Sequence, residues 1–312
     1  MTKVRVAATR GRVATLFPAQ RVFDFFDQHA CSILLAPALI AAVVIIAFPI
    51  VYTLWISLQD WFLASATGPR LIGLENYRKL LFEDTRFHSA MIKTFYFTVL
   101  AIVLQVVIGV GAALIFNREF WGRGILRTLY ILPMVATPVA IALIWIMMLH
   151  PTLGVINYLL SVLHLPPTLS IYAANTVIPA LVIVDTWQWA PLIMLITLGG
   201  LATLPTEPYE AAMIDGANAL QTFWLITLPM LRPVIVVAIL FRSIDALKTY
   251  DIIYVMTQGG PGNASETINI YLFLESFQYY HMGYASSVVV IFFAIILGIS
   301  LLLIKVRRTT WL

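Results

Sequence analysis

Six long apolar stretches constrain the fold of this chain more than any other feature of its sequence. Each reaches roughly the 20 residues that an α-helix needs to cross the hydrocarbon core of a membrane. Only 11% of the 312 residues are charged, whereas soluble domains carry about 25%. The sequence therefore predicts an all-α integral membrane protein with six transmembrane helices, at 32–58, 91–116, 128–149, 176–201, 234–256 and 284–305.

The distribution of basic residues predicts the orientation of these helices. An even number of helices places both termini on one side, together with the loops at 117–127 and 202–233. That side carries twelve Lys and Arg residues, against four on the other side and Lys93 at a boundary. The side richer in basic residues is expected to be cytoplasmic. We therefore expect a cytoplasmic tail at 1–31, a single membrane domain at 32–305 and a second cytoplasmic tail at 306–312.

Four charged residues lie at three-residue intervals near the end of the fifth predicted helix: Arg242, Asp245, Lys248 and Asp251. Residues at this spacing can contact each other along a helix. The four could line a water-filled path and offer polar groups to a solute, or they could form a self-neutralising ladder that only fixes helix packing. A third possibility is that the helix ends early and leaves Lys248 and Asp251 at the outer interface.

The fourth predicted helix contains the polar stretch "IVDTWQWAP", with Asp185, Trp187 and Gln188. An acid, an amide and indole rings suit a carbohydrate, because indole faces stack on sugar rings and the polar groups bind hydroxyls. Alternatively, Asp185 or Gln188 makes a helix–helix hydrogen bond and the tryptophans are packing residues. Six residues form the predicted substrate path: Asp185, Trp187, Gln188, Asp245, Lys248 and Tyr250.

Several motifs of catalysis and cofactor binding are absent from the sequence. There is no Walker phosphate loop, no H-E-x-x-H and no C-x-x-C, and Cys31 is the single cysteine. The five histidines are far apart in the sequence, and the small net charge of +4 does not point to nucleic acid. The sequence favours a transporter subunit over an enzyme, with no metal and no cofactor bound by this chain.

The segment 207–233, "EPYEAAMIDGANALQTFWLITLPMLRP", interrupts the apolar pattern. It predicts a short helix capped by Thr206, a left-handed turn at Gly216 and a second short helix at about 219–228. The stripe Tyr209, Ala212, Met213 and Gly216 would lie on one face of the first helix. Lipid-binding surface helices are usually rich in Lys and Arg. This acidic segment is therefore predicted to contact a protein partner.

The same segment resembles the EAA signature of the permeases of binding-protein-dependent ABC importers. The matching residues are Glu210, Ala211, Ala212, Asp215, Gly216 and Ala217, followed by Ile226, Leu228, Pro229 and Pro233. The segments 72–84, 132–160 and 251–273 are similar to carbohydrate-type permeases, and the last is similar to the first subunit of maltose- and glycerol-phosphate-type pairs.

The resemblance implies a type I ABC importer permease fold in which the loop 202–233 is the coupling element. Residues Glu210 to Ala217 of the signature would dock on an ATPase subunit. It further implies a second, related permease as a heterodimer partner, two ATPase subunits that bind ATP and Mg²⁺, and an extracytoplasmic solute-binding protein. The expected location is the bacterial cytoplasmic (inner) membrane, and the expected cargo is a carbohydrate. The outer-loop residues expected to contact the binding protein are Gly259, Gly260, Pro261 and Gly262.

An ion- or proton-coupled secondary transporter is the alternative. It would use Asp185, Asp245 and Asp251 as a relay within the membrane. Such proteins often contain paired internal repeats, and no repeat is visible in this sequence.

Overall fold

The computed structural model describes residues 18–164 and 170–309, and the side chains of residues 34–164 and 170–305. The remainder of the predicted tails, at 1–17 and 310–312, lies outside the described residues. The chain divides into two compact units, and the boundary in the sequence falls between Thr53 and Leu54. Within the first unit, the described residues form one long helix, α1 (Pro18–Ser57), which runs on into the start of the second unit.

The prediction of an all-α membrane protein is confirmed. Among the described residues, five helical stretches are long and apolar enough to span a membrane, and a sharply bent pair of helices gives a sixth if the pair is counted as one span. The five stretches are Leu34–Ser57 of α1, α3 (Thr85–Asn117), α7 (Val177–Leu201), Ala219–Leu247 and the segment Met282–Lys305 of α13 (Met282–Thr309).

The third predicted helix, at 128–149, is broken rather than continuous. It consists of α4 (Arg123–Val135) and α5 (Pro138–Met148), which meet at an angle of 102°. Pro138 cannot donate a backbone hydrogen bond, and it disfavours the helical conformation of Thr137. The Thr137 side chain then caps α5 by accepting a hydrogen bond from the backbone N–H of Ala140 at 3.4 Å.

The boundaries predicted for the fifth helix, 234–256, are wrong. One continuous helical stretch is formed by α9 (Ala219–Thr222), a π-helical turn (Phe223–Thr227) and α10 (Leu228–Leu247). It ends at Leu247, and a separate helix, α11 (Asp251–Thr257), follows a short break. The early end matches the third possibility above, and both Lys248 and Asp251 are exposed.

The centre of the second unit is α7, which packs along α3 and against α10. Its side chains at Val182, Val184, Ile193 and Met194 are fully buried. A helix buried on all sides needs apolar residues around its whole circumference. For this reason the polar residues that α7 does contain, among them Asp185, must find partners inside the bundle.

Short elements connect the helices at one end of the second unit. Strands β1 (Gln59–Asp60) and β2 (Arg70–Leu71) form an antiparallel hairpin, and Phe62 forms a bridge with His281 at the start of α13. Gly283 lies so close to the Gln59 carbonyl that no Cβ atom fits there. The other short elements are α2 (Glu75–Phe82), α6 (Val155–Val162) and α12 (Ile268–Phe273), which continues into a π-helical turn (Leu274–Gln278).

Candidate functional site

Two helix breaks lie side by side in the bundle. One separates α4 from α5 and the other separates α10 from α11, and α5 packs against α11. A cavity of about 240 Å³ lies at the breaks, and we call it the break cavity. Discontinuous helices are the usual setting for solute and ion sites in membrane transporters. The break cavity is lined by Pro138, Asp185, Trp189, Asp245, Lys248, Thr249, Tyr250, Asp251 and Ile252.

A buried polar cluster lies behind the break cavity. The Arg242 guanidinium donates from Nε to Gln105 Oε1 at 2.8 Å and from Nη2 to Asp185 Oδ2 at 3.0 Å, and its Nη1 contacts Asp245 Oδ2. Gln105 Nε2 donates to Asp185 Oδ2 at 2.7 Å. The guanidinium also lies over the Trp189 ring, 4.9 Å from its centroid. Every nitrogen of Arg242 therefore has a carboxylate or amide partner.

The two carboxylates of this cluster differ in exposure. The side chains of Arg242 and Asp185 are each 1% exposed, whereas the Asp245 side chain is 53% exposed. Pairing is what makes a buried charge tolerable, since an isolated charge in an apolar bundle costs several kcal/mol. Asp185 Oδ1 has no hydrogen-bond partner among the described residues, although Asp185 lines the break cavity.

The predicted substrate path separates into two groups. Asp185, Asp245, Lys248 and Tyr250 line the break cavity. The other two residues, Trp187 and Gln188, are not among its lining residues.

Trp187 lines another pocket and packs edge-on against Trp145, with ring centroids 5.7 Å apart. Gln188 donates from Nε2 to the Ala136 carbonyl at 3.2 Å, and it thereby binds the backbone at the α4–α5 break. Sequence reasoning missed Gln105, and it left Trp189 out of the predicted path although it noted both indole rings of this stretch. A lone amide in the apolar run of α3 was the available signal for Gln105, because buried polar groups in membrane helices are usually bonded across helices.

The coupling loop forms a short helix, a turn and a second helix, as predicted. The first helix, α8 (Glu207–Ile214), is closed by hydrogen bonds from Gly216 N to Met213 O at 3.2 Å and from Ala217 N to Ala212 O at 2.9 Å. Gly216 has φ of +73°, a left-handed conformation that favours glycine at the end of a helix. Asn218 and Gln221 then form a reciprocal capping box at the start of α9.

Three details of this loop differ from the prediction. Thr206 makes no side-chain hydrogen bond as a cap, so backbone bonds alone begin α8. The second helix does not stop near Leu228 but continues to Leu247. The predicted stripe is also split between two sides of α8, since Ala212 is buried and Met213 is 74% exposed.

One side of α8 and its turn is accessible, and we call it the coupling surface. It contains the acids Glu210 and Asp215 and the apolar side chains of Met213 and Ile214, which are 74% and 86% exposed. Ala211 and Gly216 are also exposed, and Ala217 is partly exposed. On the opposite side, Tyr209 donates a hydrogen bond to Thr227 in the π-helical turn at 3.2 Å and ties α8 to the long helix.

The loop after α11, which is predicted to be on the outer side, is a tight turn that is only partly accessible. Gly259 is buried with φ of +90°, Gly260 and Pro261 are partly exposed, and Gly262 is exposed. Ser265 donates to the Gly260 carbonyl at 2.6 Å and holds the turn closed. The accessible part of the predicted contact therefore centres on Pro261 and Gly262.

A second polar cluster joins the start of α3 to α12 and α13. Asp84 accepts hydrogen bonds from the Tyr271 and Tyr284 hydroxyls, both at 2.6 Å, and from the Phe87 backbone at 2.9 Å. Burial acts to raise the pKa of Asp84, but these hydrogen bonds outweigh it and hold the pKa below its usual range. Nearby, Arg86 pairs with the buried Glu266 at 2.9 Å. No group of three metal-binding side chains occurs among the residues that the structure describes.

A bundle of apolar helices with a polar cavity at two helix breaks, together with an acidic coupling surface at one end, defines a multi-pass membrane transport subunit. The sequence profile of the binding-protein-dependent transport system inner membrane component family matches residues 105–307. The chain belongs to this family. The membership favours an ABC importer permease over an ion-coupled secondary transporter.

Two relatives match almost the whole chain. The trehalose/maltose transport system permease protein MalF of Thermococcus litoralis is 35% identical over 279 residues, which cover 88% of this chain and 92% of MalF. The trehalose transport system permease protein SugA of Mycobacterium tuberculosis is 33% identical over 294 residues, 94% of each chain.

A solved structure shares the fold. A chain of the bacterial ABC transporter that imports the acidic polysaccharide alginate superposes with a TM-score of 0.77 over 93% of this chain and 99% of its own, at 20% sequence identity. At that identity the likeness establishes the fold alone. It confirms the predicted ABC importer permease fold.

Proposed function

We propose that this chain forms half of the translocation path of an ATP-driven importer of carbohydrate in a bacterial cytoplasmic membrane. The names of the two relatives above, at 35% and 33% identity, specify trehalose and maltose. The break cavity supports the proposal, because Trp189 and Tyr250 line it beside carboxylates that can bind hydroxyl groups.

The coupling surface is the observation that carries the ATP-driven part of the proposal. Met213 and Ile214 are exposed apolar side chains between two acids, Glu210 and Asp215. Exposed apolar side chains rimmed by polar groups mark protein contacts. The surface has no basic residue of the kind that holds amphipathic helices on lipid. We infer that it docks in a cleft of an ATPase subunit.

The remaining partners follow from this assignment. A second, related permease completes the path, two ATPase subunits bind ATP and Mg²⁺, and an extracytoplasmic binding protein delivers the carbohydrate near Gly259, Gly260, Pro261 and Gly262. This chain itself performs no ATP hydrolysis. Both termini and the coupling surface are on the cytoplasmic side, in agreement with the basic residues of 117–127 and the two tails.

One continuous helical stretch connects the coupling surface to the break cavity. It runs from Ala219, just after the Gly216 turn, to Leu247, just before the second break. At 1.5 Å per residue it is about 43 Å long. The Tyr209–Thr227 hydrogen bond ties α8 to its first turns. We infer that closure of the ATPase subunits moves α8 and the long helix together, and that this motion opens and closes the cavity.

Uptake by the complete transporter in proteoliposomes tests the proposal, with radiolabelled trehalose and maltose as probes. Glu210→Lys should abolish ATP-dependent uptake while the permease still inserts into the membrane, because a reversed charge opposes docking on the ATPase subunit. Glu119→Lys reverses another exposed acid in a predicted cytoplasmic loop and is the matched control. If uptake survives in Glu210→Lys, the coupling assignment is wrong. If uptake stops with an uncoupler but not with ATP depletion, the ion-coupled alternative is right.

A further inference from the structure

The charges around the break cavity are unbalanced. Three carboxylates line it, those of Asp185, Asp245 and Asp251, and Lys248 is the one cation among its lining residues. Arg242 is close by, but its nitrogens are bonded to Gln105 and to two of these carboxylates. With Arg242 counted, three formal negative charges face two positive ones. By formal charge the cavity is therefore negative by one, and because Arg242 is already paired, Lys248 alone faces the three carboxylates.

A buried, unpartnered acceptor adds to this charge. Asp185 Oδ1 has no partner among the described residues, and the Asp185 side chain is 1% exposed. A buried acceptor without a partner is costly and is satisfied by any donor that reaches it. Since Asp185 lines the cavity, a hydroxyl or ammonium group of a solute can supply this donor, as water can, whereas an anionic group cannot. An anionic group at this position would instead face a carboxylate oxygen.

We propose that the break cavity selects by charge: it admits neutral and amino-bearing carbohydrates and rejects anionic ones, such as uronates, sugar phosphates and sugar sulfates. The identity of the solute as a carbohydrate rests on the proposed function, whereas the charge of the cavity does not depend on it. A like charge about 4 Å away in water disfavours an anion by about fivefold, and by more where the dielectric constant is lower. Rejection by repulsion is a common source of specificity.

The charge of the cavity can be measured without any substrate. Thr249 lines the cavity and is close to cysteine in size. In the complete complex, with Cys31→Ser to remove the single native cysteine, Thr249→Cys is reacted with a cationic and an anionic methanethiosulfonate of similar size. Each rate is divided by the rate of the same reagent with a small free thiol. We expect the cationic reagent to be favoured by at least about fivefold.

Charge variants show which residues produce that preference. Asp251→Asn should lower the ratio of cationic to anionic rates by about fivefold. The Asp251 side chain is exposed and has no ion pair among the described residues, so its loss should leave the fold intact. Lys248→Gln is the matched variant of opposite sign, and it should raise the ratio. Asp245→Asn should lower it too, through loss of a half-exposed carboxylate.

The outcomes separate this inference from the proposed function. A ratio near one, a preference for the anionic reagent, or a ratio unchanged in both Asp251→Asn and Lys248→Gln overturns the charge selection. Failure of both reagents to react, with and without ATP, means that solutes do not reach the cavity and overturns it as well. Loss of the coupling role would appear only in the uptake assay with Glu210→Lys, which does not involve Thr249.

Discussion

The Arg242 guanidinium lies 3.0 Å from the Asp185 carboxylate, and this ion pair joins α10 to α7 where both side chains are 1% exposed. Gln105 of α3 bonds to both residues. Three helices are therefore held together by one charged cluster whose outer member, Asp245, reaches the break cavity. The cluster fixes the α10 end against the bundle, and it presents carboxylates to the cavity without leaving a cation free.

Removal of Arg242 should destabilise the protein strongly. Arg242→Met leaves Asp185 buried without its cation, and the loss of one partner of a buried pair costs about 3–5 kcal/mol. Asp185→Asn should cost less stability, because the new amide oxygen can still accept the hydrogen bond from Gln105. Arg242 also keeps its ion pair with Asp245. The measurement is the thermal unfolding midpoint of the purified complex in detergent.

The double variant separates pairing from simple loss of side chains. The double variant Arg242→Met with Asp185→Asn should lose less unfolding free energy than the two single variants lose together. Residues in contact are coupled by about 0.5–3 kcal/mol. Additive effects would show that the two side chains do not interact in the assembled protein.

Gln188 should stabilise the break between α4 and α5. Gln188→Leu removes the amide that bonds the Ala136 carbonyl, and an unpaired polar group in a bundle costs about 1–3 kcal/mol. Thr186→Val is the matched control on the same helix, because the Thr186 hydroxyl is buried with no partner among the described residues. Unfolding midpoints should fall for Gln188→Leu and stay nearly unchanged for Thr186→Val. Equal effects would contradict a specific role for Gln188.

Gly216 should be replaceable by asparagine but not by valine. A Cβ at this position meets no atom within 4 Å, so the constraint is the backbone φ of +73° rather than space. A left-handed conformation costs most residues about 1–2 kcal/mol, whereas asparagine adopts it more readily. Gly216→Val should reduce ATP-dependent uptake, and Gly216→Asn should retain most of it. Equal loss in both variants would mean that the side chain blocks docking directly.

Asp84 should make the protein more stable at neutral than at acid pH. Its folded pKa is lowered below the ordinary value of 3.8, so the folded state binds this proton more weakly than the unfolded state. The stabilisation is present above pH 3.8 and is lost as the pH falls through the folded pKa. Asp84→Asn removes it at every pH. The gap in unfolding midpoint between the wild-type protein and Asp84→Asn should therefore be wide at pH 7 and narrow towards pH 3.

The two tyrosines provide the control for this pH effect. Tyr271→Phe and Tyr284→Phe each remove one hydrogen bond to Asp84 Oδ2. In the background of either tyrosine variant, the difference in unfolding midpoint at pH 7 between Asp84 and Asp84→Asn should be smaller. The reason is that the hydrogen bonds to the ionised carboxylate are what lower the pKa of Asp84. A gap that is the same at pH 7 and pH 3 would show that Asp84 does not titrate differently in the folded state.

The positions of the long helices could be predicted because hydrophobicity over about 20 residues is a local property. The Gly216 turn was predictable for the same reason, since short local sequence motifs specify where helices end. The break at Lys248–Tyr250 was one of three alternatives that the sequence left open, although the charged residues around it were visible. Whether charges continue a helix or end it depends on partners from other helices, here Gln105 and Asp185.

The sequence by itself determined that this chain is a bundle of membrane helices interrupted by an acidic helix–turn–helix loop, because periodicity, hydrophobic length and turn residues act within a few neighbours. The tertiary structure alone decided which polar residues meet. Asp185 and Gln188 are three residues apart on α7, yet one pairs with Arg242 and the other binds the Ala136 backbone. Those pairings depend on how three further helices pack around α7, and no local pattern encodes that arrangement.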